Sequence, residues 1–280
     1  MVNRVAIVTG SSSGFGLLTS LEFAKRGFRV IATMRNVNKG ASLIVKSQEI
    51  GVSGNIEIQE LDVTSETSIQ RFSKFVKSIG RVDILVNNAG YAGAGFAEEI
   101  PVAEYRKQFE TNVFGLFAVT QSVIPIMRSQ GKGKIINVSS ISGKIGFPGM
   151  SPYVASKFAV EGWSECLRLE LKPYGIDVAL VEPGSYRTNI WTTGKQITAR
   201  SLLEESPYHE LMKKIESHIQ KSEKAYGDPK EVAIKIADIS MQKEMDLRYP
   251  VGKGVKLGIL LRNTLSWKKW ERMILKRLNK

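Results

Sequence analysis

The sequence predicts an α/β protein built on a doubly wound parallel sheet of about seven strands flanked by helices, with a helical extension at the C-terminus. Two observations carry that expectation. Short apolar runs alternate with amphipathic helical stretches from Arg4 to about Val181, the rhythm of a parallel sheet covered on both faces. The first apolar run also ends in a glycine-rich turn that opens the first helix. A chain of 280 residues is long enough to bury the core such a sheet needs.

The elements follow in order. Arg4 to Val8 reads as the first strand, Phe28 to Met34 as the second and Ile56 to Leu61 as the third. The first helix runs from about Phe15 to Arg26, with Leu17, Leu18, Leu21 and Ala24 near helical spacing and Gly27 as its stop. Ser65 to Ile79 is amphipathic, through Ile69, Phe72, Phe75 or Val76, and Ile79. Val82 to Val86 is the fourth strand. A long helix is expected from about Pro101 to Gln130, with a kink or break near Pro125. Lys134 to Val138, a helix from Tyr153 to Leu171, and Ile176 to Val181 complete the regular part. Beyond Gly184 the rhythm weakens: Ile190 to Lys224 looks helical but polar, Asp228 to Glu231 reads as a helix start leading to Ile239, and the chain from Tyr249 on is expected as an appendage to the sheet. The expected division is residues 1–250, including a substrate loop at about 186–226, and a basic amphipathic extension over 251–280.

Composition narrows the function classes. Apolar residues make up 42% and charged residues 24%, ordinary values for a water-soluble globular protein. No signal sequence opens the chain and no run approaches the roughly 20 apolar residues of a membrane span, so a cytoplasmic location is expected. The single cysteine, Cys166, excludes an internal disulfide and is expected as a packed structural thiol. The net charge is +13, but between Pro250 and Lys280 nine Lys/Arg stand against one acid, Glu271, so +8 of it sits in the tail. A basic tail without a recognition motif predicts no nucleic-acid partner. No metal site is expected.

Three glycines stand where a Rossmann-type phosphate turn needs them. Gly10 allows the sharp turn, Gly14 allows backbone to approach a pyrophosphate, and Gly16 allows close helix–strand packing. With Ser12, Ser13 and Phe15 they make a helix N-terminus that offers free N–H groups to an anion. The end of the second strand carries no acid to hold a ribose 2′-hydroxyl. Met34 stands in that place and Arg35 follows, which points to a 2′-phosphate and to NADP(H) over NAD(H).

Tyr153 and Lys157 lie four residues apart and share one helical face. A nearby cation and the positive end of a helix are expected to lower the pKa of a phenol, as proton transfer during ketone–alcohol interconversion requires. The same Tyr-x-x-x-Lys spacing recurs at Tyr226/Lys230 and Tyr249/Lys253, but Gly227, Pro229, Pro250 and Gly252 interrupt those helical faces.

With this glycine spacing, Asn87-Asn88-Ala89-Gly90 and Tyr153-Val154-Ala155-Ser156-Lys157, the chain resembles the short-chain dehydrogenase/reductase family in its shorter, single-domain form, over roughly residues 4–190. The strings Ala32-Thr33-Met34-Arg35 and Arg248-Tyr249-Pro250 loosely resemble the 17β-hydroxysteroid and retinol dehydrogenase branch. The resemblance implies that Asp62 and Val63 read the adenine, and that Asn87, Ala89 and Gly90 line the cofactor. It implies that Pro183, Gly184, Tyr186 and Thr188 contact the nicotinamide end. Ser140, thirteen residues before Tyr153, would bond the substrate oxygen, with Ser139 the adjacent competitor. Asn112 would hold a water that relays protons to Lys157, and Tyr153 and Lys157 would also touch the cofactor.

The expected function is therefore hydride transfer between NADP(H) and a small-molecule carbonyl or alcohol; the alternative is an NADP(H)-binding sensor without chemistry, which need not keep the proton-transfer residues. Phe96, Phe147, Met150, Tyr186 and Trp191 suggest an apolar substrate. Family resemblance implies a homo-oligomer built on the helices at Pro101–Gln130 and Tyr153–Leu171. In the tail, Trp267, Trp270, Ile274 and Leu278 recur at helical spacing with Met273 and Leu275 beside them. That stripe has two readings: packing on the parent fold or a partner subunit, or peripheral contact with an anionic membrane.

Overall fold

The computed structural model describes residues 4–188 and 194–278. In chain order, β1 (Val5–Val8) feeds α1 (Gly14–Lys25), and β2 (Arg29–Met34) leads to α2 (Ala41–Glu49). Next come β3 (Ile56–Glu60), α3 (Glu66–Ile79), β4 (Ile84–Asn87) and the short β5 (Ala92–Ala94). Helices α4 (Val102–Phe109) and α5 (Gly115–Ser129) precede β6 (Gly133–Val138), α6 (Ser151–Leu171) and β7 (Ile176–Pro183). The remainder is β8 (Lys195–Ile197), α7 (His209–Glu223), α8 (Pro229–Met241), β9 (Arg248–Val251), α9 (Val255–Thr264) and α10 (Trp267–Leu278).

The main sheet has seven strands in the order β3-β2-β1-β4-β6-β7-β9, and every pairing is parallel. Strand order reverses between β1 and β4, so their C-terminal ends open a crevice of the kind that binds ligands in doubly wound sheets. One apolar layer joins α1 and α8 to one face through Phe23, Phe28, Val232 and Ile236. The other joins α3, α5 and α6 to the opposite face through Phe72, Val119, Val123 and Leu167.

Several expectations are corrected. The segment from Tyr249 is not an appendage: Arg248–Val251 pairs with β7 as the seventh strand, one residue past the expected boundary at 250. Helix α2 was not anticipated, because only Leu43 and Ser47 of its nine residues are buried and little periodicity shows. The long helix does not break at Pro125, which lies inside α5. Pro125 and Gln121, whose carbonyl loses its partner, are both on the solvent side, where water satisfies that carbonyl. The irregularity falls earlier, in a π turn over Glu110–Phe114 that holds Asn112. Of the polar stretch expected as helix from Ile190, residues 190–193 lie outside the described residues, 195–197 form a strand with β5, and only His209–Glu223 is α-helical. Cys166 is exposed, not packed, since the buried face of α6 runs through Val160, Ser164, Leu167 and Leu171. Among the described residues, no helix is long and apolar enough to cross a membrane.

Candidate active site

The crevice begins at the glycine turn. Gly10 and Gly14 have φ of 68° and 55°, the left-handed region that favours glycine. A Cβ on Gly16 would lie 2.3 Å from the Gly10 carbonyl oxygen, so no other residue fits there without displacing the turn. Ser13 is the N-cap residue of α1, and its side chain makes no capping bond. The Phe15 ring turns into the core against Tyr186, which leaves its backbone facing the turn. Thr188 lies across from Gly14, 3.7 Å from where a Cβ would stand.

A residue passed over in the sequence holds this turn in place. Asn88 Nδ2 donates to the Thr9 and Gly10 carbonyls at 2.8 and 3.2 Å, while Thr9 Oγ1 accepts from the Asn88 and Ala89 backbone N–H groups at 2.9 and 3.0 Å. The end of β4 is thereby tied to the end of β1. An Asn in a strand-end turn gives no local sign of which distant carbonyls it will meet. Its neighbour Asn87 points the other way: buried, its Nδ2 donates to Thr120 and Asn137. Arg35 is exposed at the end of β2. The Asp62 carboxylate accepts from the Thr64 N–H and hydroxyl, shaping the turn that also holds Val63.

At the C-terminal ends of β6 and β7 the proton-transfer residues meet. Tyr153 stands in the first turn of α6 and Lys157 one turn on, both buried. Lys157 Nζ donates to the Val138 carbonyl at 2.7 Å and lies 5.7 Å from the centroid of the Tyr153 ring. Ser140, not Ser139, interacts with the Tyr153 phenol, and its Oγ also accepts from the Ser142 N–H at 3.1 Å. The Asn112 side chain is occupied by the Tyr91 backbone on both sides, at 3.1 and 3.0 Å, and by Ser156 at 3.2 Å.

The ionisation of the pair departs from expectation. Burial pushes the Tyr153 phenol up to about 12, against a smaller lowering by Ser140. Burial likewise pulls Lys157 down to about 8, and Glu161 opposes that shift. The phenol was expected to fall below its ordinary value. Desolvation dominates both shifts because both groups are withdrawn from water, which disfavours the charged form of each.

Two residues expected to line the site are core. Tyr186 packs between Gly227 and Gly252, and its hydroxyl donates to Glu231 at 2.9 Å, so only its backbone remains for a ligand. Phe96 stacks on Tyr208 with centroids 4.4 Å apart. Phe147 and Met150 stay partly exposed, and Trp191 lies outside the described residues. Gly184 is fixed by its N–H bond to Val251 at 2.9 Å, after Pro183 closes β7.

Comparison with known proteins places the arrangement in a class. The sequence profile of the short chain dehydrogenases matches residues 4–197. A curated oxidoreductase of Bacillus subtilis, YusZ, is 50% identical over 279 residues, covering 99% of both chains. A 3-ketodihydrosphingosine reductase of Bacteroides thetaiotaomicron is 33% identical, covering 95% of this chain and 94% of its own. A solved actinorhodin polyketide ketoreductase with NADPH is 31% identical with a TM-score of 0.75, covering 90% of this chain and 97% of its own. Among further solved structures of this fold, one holds NADP and another NAD. The chain belongs to the short chain dehydrogenase/reductase family and is an oxidoreductase of that class.

Proposed function

We propose that the protein reduces a carbonyl group on an apolar small molecule with NADPH, Tyr153 giving the proton. The observation that carries this is the grouping of a buried Tyr153 phenol with Ser140 and with Lys157 Nζ, 5.7 Å from the ring centroid. A polyketide ketoreductase with NADPH and a 3-ketodihydrosphingosine reductase among the similar proteins support the direction and the substrate class.

The residues present fit a nicotinamide dinucleotide. The turn at Gly10, Gly14 and Gly16 would admit a pyrophosphate, a Cβ at Gly16 would displace the turn itself, and Thr188 faces Gly14. Asp62 and Val63 would read the adenine, the backbone at Ala89 and Gly90 would line the cofactor, and Pro183 and Gly184 would meet its nicotinamide end. Arg35, exposed at the end of β2, would meet a 2′-phosphate. When bound, this cofactor supplies the hydride. Ser140 would then hold the substrate oxygen and Tyr153 would donate its proton to that oxygen as negative charge develops. Lys157 stabilises the phenolate that remains, and the Lys157 ammonium is the group through which the proton is replaced. Asn112 holds the Tyr91 backbone, and would thereby fix one wall for the substrate.

Helix α6 exposes Phe158 and Leu169, and the π turn that leads into α5 exposes Phe114, which supports a homo-oligomer formed on these helices. The division at about residue 250 is proposed on the same reading, with α9 and α10 as an extension over the substrate side: Gly258 lies near Ile141 and Ile145, just after Ser140. A panel of aliphatic and aromatic ketones and aldehydes, assayed by NADPH oxidation, tests the function. Turnover of apolar carbonyls is expected; loss of NADPH signal with none of them, in protein shown to bind NADPH, overturns it.

A further inference from the structure

One turn beyond Lys157 on α6, Glu161 is only 4% exposed, and Glu182 near the end of β7 is 1% exposed. Both carboxyls converge on one nitrogen of β9: Arg248 Nε lies 3.0 Å from Glu161 Oε2 and 3.4 Å from Glu182 Oε1. That nitrogen carries a single hydrogen, which goes to Glu161. Arg248 Nη2 is taken by Glu165 on the outer side of α6. Lys144, from the loop after β6, reaches no closer than 3.8 Å to Glu161 Oε2. The Oε1 atoms of Glu161 and Glu182 are therefore fully buried with no N–H or O–H donor.

Buried acceptors without donors are uncommon and costly, and two carboxylates side by side in a dry site cannot both ionise freely. Burial first, and then the Glu161 charge, push the Glu182 carboxyl up, against the opposing pull of Lys144 and Arg248. With one Arg248 N–H between them and an orphaned oxygen on each, a proton carried by one carboxyl supplies the donor that the pair otherwise lacks. The charged groups facing this pair are thus Lys144, Lys157, Glu165 and Arg248. Glu161 is the one that favours the charged form of Lys157.

We propose that Glu161 and Glu182 share one proton across their buried oxygens, and that the singly negative pair acts as a positioning element that keeps Lys157 an ammonium. The first half stands on the convergence of both carboxyls on Arg248 and on their two orphaned oxygens. The second rests on the proton-transfer role of Lys157 proposed above.

Infrared spectroscopy of protein with isotopically labelled glutamate carboxyls reads the pair directly. A protonated carboxyl that survives at neutral pH is expected in the wild type and is expected to vanish in Glu182→Gln. Its absence from the wild type, or its persistence unchanged in Glu182→Gln, overturns the shared proton, and the wild-type titration needs no variant to fold. The link to Lys157 is read from the alkaline limb of kcat/KM for carbonyl reduction. Glu161→Gln should move that limb down by about one pH unit, because a neighbouring opposite charge shifts a pKa by roughly that much. Glu182→Gln, which keeps the Glu161 charge and supplies an amide N–H in place of the shared proton, should move it less. An unmoved limb in Glu161→Gln overturns the link. If the wild type turns over no carbonyl, the functional reading fails separately, and NMR titration of the labelled Lys157 ammonium decides the link instead, with a lower midpoint expected in Glu161→Gln and an unchanged one overturning it.

Discussion

Lys157 Nζ lies 5.7 Å from the centroid of the Tyr153 ring while donating a 2.7 Å hydrogen bond to the carbonyl of Val138. The lysine is thereby anchored to the end of β6, and its position over the phenol does not depend on the phenol hydroxyl. Tyr153→Phe should accordingly leave the fold and NADPH affinity intact and reduce kcat by roughly 10²–10⁴, the usual cost of losing a general acid. Fluorescence titration of NADPH and steady-state assay of the same preparation separate the two effects. A variant that works at the wild-type rate would remove Tyr153 from the mechanism.

The depressed pKa of Lys157 has a consequence for stability. Burial holds the folded group at about 8, below its ordinary 10.5. Between those values the unfolded chain binds a proton that the folded chain does not, so stability rises with pH through this window and is lost as pH falls toward the folded value. The gain from about pH 8 to about pH 10 should be on the order of 2–3 kcal/mol, at about 1.4 kcal/mol per unit. Urea unfolding at both pH values measures it, and Lys157→Met should flatten the slope by about that amount. Equal slopes in the two proteins would show that Lys157 titrates as a free lysine.

Cofactor choice should rest on Arg35. The exposed guanidinium closes β2, and no acid stands in that strand. NADPH should bind more tightly than NADH, and Arg35→Asp should narrow or reverse that order. Equal dissociation constants for the two cofactors in the wild type would contradict the assignment.

Gly16→Ala is expected to damage the phosphate turn more than its one added methyl suggests. That Cβ would sit 2.3 Å from the Gly10 carbonyl oxygen and 2.5 Å from Asn88 Nδ2, the atom that ties the turn to β4. Overpacking of this kind costs about 1–3 kcal/mol. A fall in melting temperature together with loss of NADPH affinity is the expected result, and wild-type affinity would show that the turn yields without cost.

The basic extension packs through Trp270, which is 5% exposed, and α10 meets α7. Trp270→Ala should therefore destabilise the protein by about 3–5 kcal/mol, as buried aromatic truncations do. Outside that contact, Leu257, Leu260, Trp267 and Leu275 remain exposed among the lysines and arginines of the tail. Co-sedimentation with anionic and neutral vesicles tests whether they reach a membrane. Salt-sensitive binding to the anionic vesicles alone, lost on truncation after Asn263, would support that reading, and no binding at low salt would eliminate it.

Local pattern carried a large share of this protein. The alternation of buried runs and amphipathic stretches determined a parallel sheet and where six of its strands lie along the chain, because each such signal is contained within a few consecutive residues. The same holds for the glycines at 10, 14 and 16 and for Tyr153 and Lys157, whose shared face follows from helical periodicity. What depended on tertiary structure were the meetings between elements far apart in the chain. Asn88 reaches the Gly10 carbonyl, and Tyr186 sinks between Gly227 and Gly252. Arg248 gathers Glu161 from a helix and Glu182 from a neighbouring strand. The ionisation of Tyr153 and Lys157 belongs with these: spacing sets which groups are near each other, but desolvation is summed over every element packed around them, and that sum reversed the shift expected for the phenol.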